Sequence, residues 1–562
     1  MDDKNAFKLC ASLLLLIYAV GTFIVTSTGS LYPYLHFSVL TATFLLLGYT
    51  LSAGSVLQSA VLIVFSSVAT RVIIFQHPES LISVDPDLYA YWAQLLVESG
   101  RIEAMGLNFY ESAPLFLVST GIVSIITSLA TPDSFITYPL LGGIVFPLAA
   151  AAIVKWLPRQ TTNRSLVLAM LLASISPTLM TFSYRPKAQV HATFIWLAFF
   201  LLFLFYMQKS HKKRTGLVVT ILLLIFALAV THKLPPAMLF LFLIVFSTYG
   251  FFANRTIEGN NIRTISPLLL FSGFIAIVQM IYISDFFGMV ITRARRLISA
   301  FTGEESEAYE ASEAVLAVPG TLPNILSLPD TTMTVLVFER SYMLFLLLFA
   351  GTVYAILFIE NYDETISIVI LSIIAVTVSL TIVGVGGVSG LNPSRTLLLG
   401  EVFLLAIISW GVFHRYTTQH LWTGIIWILV GVFIVSQIFT PVAVPEYENN
   451  PRYYLETDEV DAKLFGCQYI SDTVYTDTYY AQEAYIQATY CGGYSSLDRG
   501  DPPPLYEGTV LEQEYDYIAH RTSVDVYEGQ HTRYQLTWEP ETAYNEQYNR
   551  IYVNSGVSMF SK

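Results

Sequence analysis

The sequence predicts a polytopic α-helical membrane protein of about 13 transmembrane helices, followed by a soluble extracytoplasmic domain of α/β or β-rich character. Three observations predict it. Of 562 residues, 54% are hydrophobic and only 13% are charged, which is too few charges for a soluble globular chain. Apolar runs such as residues 10–29, 192–207 and 396–413 are long enough to cross a hydrocarbon core of about 30 Å as helices. In lipid a helix pairs its own backbone groups, and nothing in the pattern suggests a barrel. Finally, the charge is segregated. Residues 441–562 carry 20 Asp and Glu against 7 Lys and Arg, a balance of −13 that equals the net charge of the whole chain, so residues 1–440 sum to zero.

Taken in order, hydropathy places spans at roughly 9–28, 33–55, 57–75, 136–156, 166–182, 191–208, 216–232, 234–252, 266–287, 337–359, 366–386, 396–413 and 421–440. Lys4 and Lys8 precede the first span. No small-residue cleavage site follows it, so it is expected to be a retained anchor. Run 113–130 is ambiguous, and loop charge decides it. Lys155, Arg159 and Arg164, then Lys209, Lys212, Lys213 and Arg214, then Arg255 and Arg263, then Arg415 mark every second connection, as cytoplasmic loops should be marked. With Lys4 and Lys8 also inside, an even number of crossings must separate them from Lys155. The three early spans and 136–156 supply it, so 113–130 does not cross. With 88–99 it is expected to lie on the outer leaflet or dip into it. The N-terminus is then cytoplasmic, the large external loops are 76–135 and 288–336, and the acidic domain 441–562 lies outside. Within that domain the Thr/Val/Tyr-rich runs 473–480 and 515–526 suit strands. Cys467 and Cys491 are available there to pair, whereas Cys10 sits in the first span.

The chain has no CxxC, HExxH, GxxxxGK[ST] or GxGxxG motif, so zinc-protease, P-loop and dinucleotide chemistry lack an anchor. A neutral membrane part with an acidic tail has no basic footprint for nucleic acid. Chemistry concentrates instead at Asp85-Pro86-Asp87, between the third span and the amphipathic stretch 88–99. Asp85 suits a helix N-cap, because the residue before proline avoids helical backbone and proline suits a first turn. Capping leaves the second acid unexplained. An acid–base centre uses both: one carboxylate takes a proton from an acceptor hydroxyl while the other holds that hydroxyl, or a divalent metal, in place.

Cations gather on the same expected face: Arg185, Lys187, Lys233, Arg293, Arg296 and Arg395, with His232 next to Lys233. A charge close to lipid needs a counter-charge. Snorkelling to headgroups would satisfy any one of them. A lipid phosphate would satisfy the set, with Arg offering a planar fork and Lys a point charge. Tyr89, Tyr91, Trp92 and Tyr110 crowd the region as interface anchors or as a stacking surface for a sugar. His191, at the start of a span, reads as a hydrogen-bonded structural residue or as a further phosphate contact. Residues 303–330 are acidic and then Pro-rich, long enough to cover a site.

This pattern resembles the GT-C class of integral-membrane glycosyltransferases. The likeness rests on the acidic motif in the first sizeable external loop, an interfacial helix ending near Gly100, a Tyr110…Pro114-Leu115 entry into a second loop helix, the many later spans and the soluble outer C-terminal domain. Within the class it is similar to archaeal enzymes that use dolichyl- or polyprenyl-phosphate sugars in N-glycosylation. The resemblance implies that Asp85 or Asp87 is the loop-one acid, Asp85 being favoured, and that His232, Lys233 and Arg395 hold lipid phosphate. Two features depart from it. Residues 183–191 carry no acid where many relatives have one, which weakens a metal site spanning two loops. The tail lacks a Trp-Trp-Asp motif, which disfavours transfer of a whole glycan. The implied activity is inverting transfer of one sugar, a hexose such as mannose, to a lipid- or protein-linked glycan at the cell membrane, an S-layer glycan in an archaeal setting. An oligosaccharyltransferase-like enzyme, or a flippase of lipid-linked sugar, is the alternative. A flippase would favour inverted repeats, and none is visible in spacing or charge.

Overall fold

The computed structural model describes residues 3–28, 31–52, 55–106, 108–157, 162–208, 214–252, 259–279, 281, 325–327, 342–351, 365–385, 393–414, 419–438, 452, 454–483, 485–486, 489, 497–498, 515–522, 524, 526–528, 533–536 and 540–562. Each expected span meets a helix among them. The first four helices are α1 (Asp3–Thr28), α2 (Leu31–Tyr34), α3 (Leu40–Ser52) and α4 (Val56–Gln76). The second span is not one straight rod, because a π-helical turn, Leu35–Val39, joins α2 to α3. The loop helices follow: α5 (Val84–Ser99), α6 (Asn108–Ser112), α7 (Leu115–Thr127) and α8 (Thr131–Ser134). The bundle resumes with α9 (Thr137–Trp156), α10 (Asn163–Ile175), α11 (Pro177–Tyr184), α12 (Ala188–Gln208), α13 (Arg214–Ala229), α14 (Leu234–Phe252) and α15 (Gly259–Val278). It continues through α16 (Tyr342–Gly351), α17 (Thr365–Val385), α18 (Pro393–His414) and α19 (Gln419–Ile438). Among the described residues, five helices are individually long and apolar enough to cross a membrane, and α10 with α11 forms a sixth candidate, bent by 50°.

That bend has a local cause. Pro177 has no amide hydrogen to continue α10, so the last carbonyls of α10 lose their partners. Arg71 of α4, fully buried, donates from Nη1 to the Ser174 carbonyl at 2.9 Å and from Nε to Ser183 Oγ at 3.2 Å. Across the break, Ser176 Oγ donates to Glu401 of α18, which is also fully buried. A cation thus meets the negative end of α10 and an acid the positive end of α11. Close helix approach explains one glycine. A Cβ on Gly143 of α9 would lie 2.8 Å from the Val68 Cα of α4.

The helix α5 starts four residues before the expected amphipathic stretch. Ser83 precedes it with φ +88°, and the helix ends at Gly100, φ +66°, whose amide donates to the Leu96 carbonyl at 2.9 Å. Left-handed backbone there suits glycine. Against α5 lies α7, burying Phe116, Leu117, Thr120, Gly121 and Ser124 while exposing Ile122, Ile125 and Ile126. Its first amide, Leu115, donates to the Val230 carbonyl in the α13–α14 turn at 3.1 Å. Thr120 Oγ1 meets Tyr138 Oη, near the start of α9, at 3.3 Å. The start of α7 is thus tied to the α13–α14 turn and its middle to α9.

The tail is an α/β unit. Its helices are α20 (Thr457–Tyr469), α21 (Thr478–Gln482) and α22 (Pro540–Gln547). The strands of the structure are β1 (Ile325–Ser327), β2 (Val474–Tyr475), β3 (Leu497–Asp498), β4 (Tyr517–Arg521), β5 (Val526–Glu528), β6 (Arg533–Leu536), β7 (Asn549–Val553) and β8 (Val557–Ser561). They form a mixed sheet, β3-β2-β4-β8-β7, and a smaller one, β1-β6-β5, whose first strand comes from the second large loop. In the large sheet β2 runs parallel to β3 and β4. The tail also docks on the first loop: the Leu455 amide donates to Ser80 Oγ at 2.8 Å, and Tyr479 Oη to the Leu81 carbonyl at 3.5 Å. Cys467 is disulfide-bonded, whereas Cys10 is free and buried.

Candidate active site

Two positions apart on a helix means opposite faces, and this divides the Asp pair. Asp85 points to solvent and to the bundle. Its Oδ2 lies 2.5 Å from Lys187 Nζ, with the side chains 46% and 16% exposed respectively. Its carboxylate is thus spent on Lys187 and not on capping α5. Asp87 is 2% exposed and faces the tail. Its Oδ1 accepts the Leu81 amide at 3.1 Å, and its electrostatic neighbours are Glu483 and Lys463. The expectation that both acids share one pocket is corrected accordingly.

Around Asp85 four elements meet. One turn further along α5, Tyr89 Oη contacts Tyr110 Oη of α6 at 2.8 Å, and Trp92 packs on both rings. Burial pushes the Tyr110 hydroxyl up to about 12 and raises Tyr89 well above its ordinary value, so both remain protonated. Arg395, in the first turn of α18, acts electrostatically on Tyr89, Tyr110, Lys187 and His232. A guanidinium at the positive end of a helix is poorly placed unless an anion joins it. Lys187 comes from the α11–α12 link. Burial lowers its pKa, Asp85 opposes that, and Arg185 and Arg395 push it further down.

The α13–α14 turn supplies His232 and Lys233. Gln279 Nε2 pins this turn by donating to the Ala229 carbonyl at 2.7 Å and the His232 carbonyl at 2.9 Å. His232 is buried, and its Nδ1 accepts the Leu234 amide at 3.3 Å. Burial, then the charges of Arg395 and Lys233, pull its pKa down to about 3. The imidazole is therefore neutral, an uncharged ring beside Lys233 and Arg395. Phe109 packs against it at 6.3 Å.

The sequence-predicted residues Asp85, Lys187, Arg185, Arg395, His232 and Lys233 are thus neighbours in space, while Asp87 is turned away. Arg293, Arg296 and most of the suggested cover 303–330 lie outside the described residues, apart from β1. Toward the bundle, His191 Nδ1 pairs with Tyr138 Oη at 3.2 Å, the structural role weighed for it. A divalent metal fits this cluster poorly. Among the described residues no three His, Cys, Asp or Glu side chains gather around a common point, and cations surround Asp85.

Some residues were missed. Arg71 and Glu401 are single charges inside apolar runs, a signal that marks function or architecture in membrane helices. Lys463 is one of few cations in the acidic tail, but nothing in sequence tied it to Asp87.

No protein-family model matches the chain, and no curated protein does. Solved structures do. The chain is similar to the Archaeoglobus fulgidus oligosaccharyltransferase in its apo form, with a TM-score of 0.51, 10% identity, 82% of this chain covered and 69% of that one. The same enzyme in complex with Zn and sulfate gives a TM-score of 0.51 and 10% identity over 82% and 68% of the two chains. ArnT from Cupriavidus metallidurans bound to undecaprenyl phosphate covers 89% of this chain and 97% of its own, at 10% identity and a TM-score of 0.48. At such identity the likeness concerns fold alone. The chain is a multi-pass membrane protein with the GT-C fold.

Proposed function

We propose that this protein is an inverting membrane glycosyltransferase that moves one sugar, a hexose such as mannose, from a dolichyl- or polyprenyl-phosphate donor to a lipid- or protein-linked glycan on the outer face. One observation carries the reading: the accessible carboxylate of the Asp85-Pro86-Asp87 pair, Asp85, sits within a group of cations drawn from three separate helix ends. Acid and cations have complementary tasks. The donor phosphate takes Lys187 and Arg395 as counter-charges, with Lys233 and Arg185 close by, and the neutral His232 ring helps shape the turn. Lys187 then leaves Asp85, whose freed carboxylate accepts the acceptor hydroxyl proton. The acceptor oxygen bonds to the anomeric carbon as the bond from that carbon to the phosphate oxygen breaks. The products are the elongated glycan, protonated Asp85 and the lipid phosphate, whose extra negative charge the cations stabilise. Tyr89 and Tyr110, protonated throughout, border the site where the sugar would lie.

The reading is tested with full-length protein in liposomes carrying a radiolabelled polyprenyl-phosphate hexose and a glycan acceptor. Transfer of one sugar that Asp85→Asn abolishes is expected. Full transfer by Asp85→Asn in correctly inserted protein refutes the assignment. Mass spectrometry of surface glycans from a deletion strain separates the rivals: loss of one terminal hexose indicates this enzyme, and loss of all external glycan a flippase or oligosaccharyltransferase.

A further inference from the structure

The carboxyl of Asp87 is buried at a junction of two parts of the chain. On its own side it accepts the Leu81 amide at 3.1 Å, closing the segment that leads into α5. On the other side stands the tail. Lys463 of α20, 1% exposed, lies 2.9 Å from Glu483 Oε2 and donates to the carbonyls of Tyr480 and Glu483 at 2.7 and 2.8 Å. Tyr479 donates to the Leu81 carbonyl, the residue whose amide Asp87 holds. The tail wall is itself firmly built. Asp477 caps α21 through the amides of Tyr479 and Tyr480 and is gripped by Arg521 at 2.7 and 2.8 Å.

The charges at this junction do not cancel. Asp87 is faced by one carboxylate, Glu483, and one ammonium, Lys463, which Glu483 already engages. Asp87 Oδ2 is buried and has no hydrogen-bond partner among the described residues. Two ionised acids beside one ammonium in a dry site are costly, and the usual resolution is that one acid keeps its proton.

We propose that Asp87 is a positioning residue: its carboxyl, set between the first turn of α5 and the Lys463–Glu483 pair of the tail, fixes the turn that presents Asp85 to Lys187. The proposal rests on the activity read above for Asp85, and it gives the tail a task in that activity. The acid that makes the link is neutral. Burial first, then Glu483, holds its pKa well above the ordinary carboxyl range, with Lys463 and the Leu81 amide opposing. A carboxyl whose folded pKa is raised favours the fold while protonated. The link is therefore strongest in acid and weakens as pH climbs from the ordinary Asp range through the raised value. The groups that face it are Glu483, Lys463, the Leu81 amide and the Tyr479 hydroxyl.

The test compares Asp87→Asn, Asp87→Ala and Asp85→Asn in full-length protein in liposomes, reading transfer kinetics and the rate at which protease releases the tail between pH 5 and 9. Asn imitates the neutral acid. Asp87→Asn is expected to hold kcat and KM within about threefold of the parent and to flatten the pH dependence of tail release. Asp87→Ala is expected to lower kcat about tenfold or more with the donor KM little changed, and to release the tail faster. If Asp87→Asn loses transfer as completely as Asp85→Asn while its tail stays protected, Asp87 belongs to the chemistry and the proposal is overturned. If Asp87→Ala leaves tail release unchanged, the link does not exist, whatever the transfer data show. Asp85→Asn with full transfer refutes the activity reading separately, and the protease data still decide the link.

Discussion

Replacing Asp85 by Asn separates two effects that usually move together. In the unliganded protein Lys187 Nζ is held by Asp85 at 2.5 Å, and a donor phosphate must take it away. A hydrogen bond to a charged group contributes about 1.5–3 kcal/mol. With Asp85 46% exposed, the lower end applies, about 1.5 kcal/mol or roughly a factor of ten in affinity. Asp85→Asn removes that competitor, so lipid phosphate should bind about tenfold more tightly. It also removes the base, and a positioned base contributes about 10²- to 10⁴-fold. The expected signature is a tighter donor with a collapsed turnover, that is, KM and kcat falling together. Donor affinity is measured by fluorescence quenching with a labelled polyprenyl phosphate in nanodiscs, and turnover in single-turnover assays with radiolabelled donor. Weaker donor binding in Asp85→Asn would show that Asp85 does not compete for Lys187. Unchanged turnover would show that Asp85 is not the base.

Other residues yield smaller, distinct outcomes. Arg395→Ala should weaken lipid phosphate binding about tenfold or more, with Arg395→Lys recovering only part because the planar fork is lost; the same quenching titration decides it. His232 should leave no mark on the pH–rate profile near the ordinary His value, since its pKa lies at about 3. Because that folded value is depressed, its contribution to stability is complete above about 6.5 and is lost as pH falls toward 3; thermal inactivation in detergent at pH 7 and pH 4, compared with His232→Gln, reports it. Glu401→Gln should keep the acceptor for Ser176 and stay near parental stability, whereas Glu401→Ala should cost about 1–3 kcal/mol by leaving that hydroxyl buried without its partner; the same inactivation assay compares them.

The bundle was readable because hydropathy averages over many residues, so every expected span found a helix. Run 113–130, which the parity of loop charges leaves out of the count, holds α7, which starts on the α13–α14 turn and runs beside α5. The details that failed are those set by single residues. Asp85 and Asp87 look equivalent as a dipeptide pair around Pro86, but on a helix they point apart, and only the helix start at Val84 reveals this. Nor does the sequence show that burial and two neighbouring charges keep the His232 ring neutral. The tail's hold on Asp87 joins residues almost four hundred positions apart, beyond any local pattern.

The broken span shows how the bundle serves the site. The eight residues of α11 rise about 12 Å at 1.5 Å each, so the 50° bend at Ser176-Pro177 displaces their far end by about 9 Å from the line of α10. That far end carries Arg185 and leads to Lys187. A straight span would thus carry Lys187 well out of reach of Asp85. The bend is held by two buried ionisable side chains in an apolar bundle, Arg71 on the carbonyl end of α10 and Glu401 at the amide end of α11. Neither is among the groups that shift Lys187 or His232. Their expense is intelligible if the direction of α11 matters. Arg71 and Glu401 would then act at a distance, as the braces that bring a lysine to the acid.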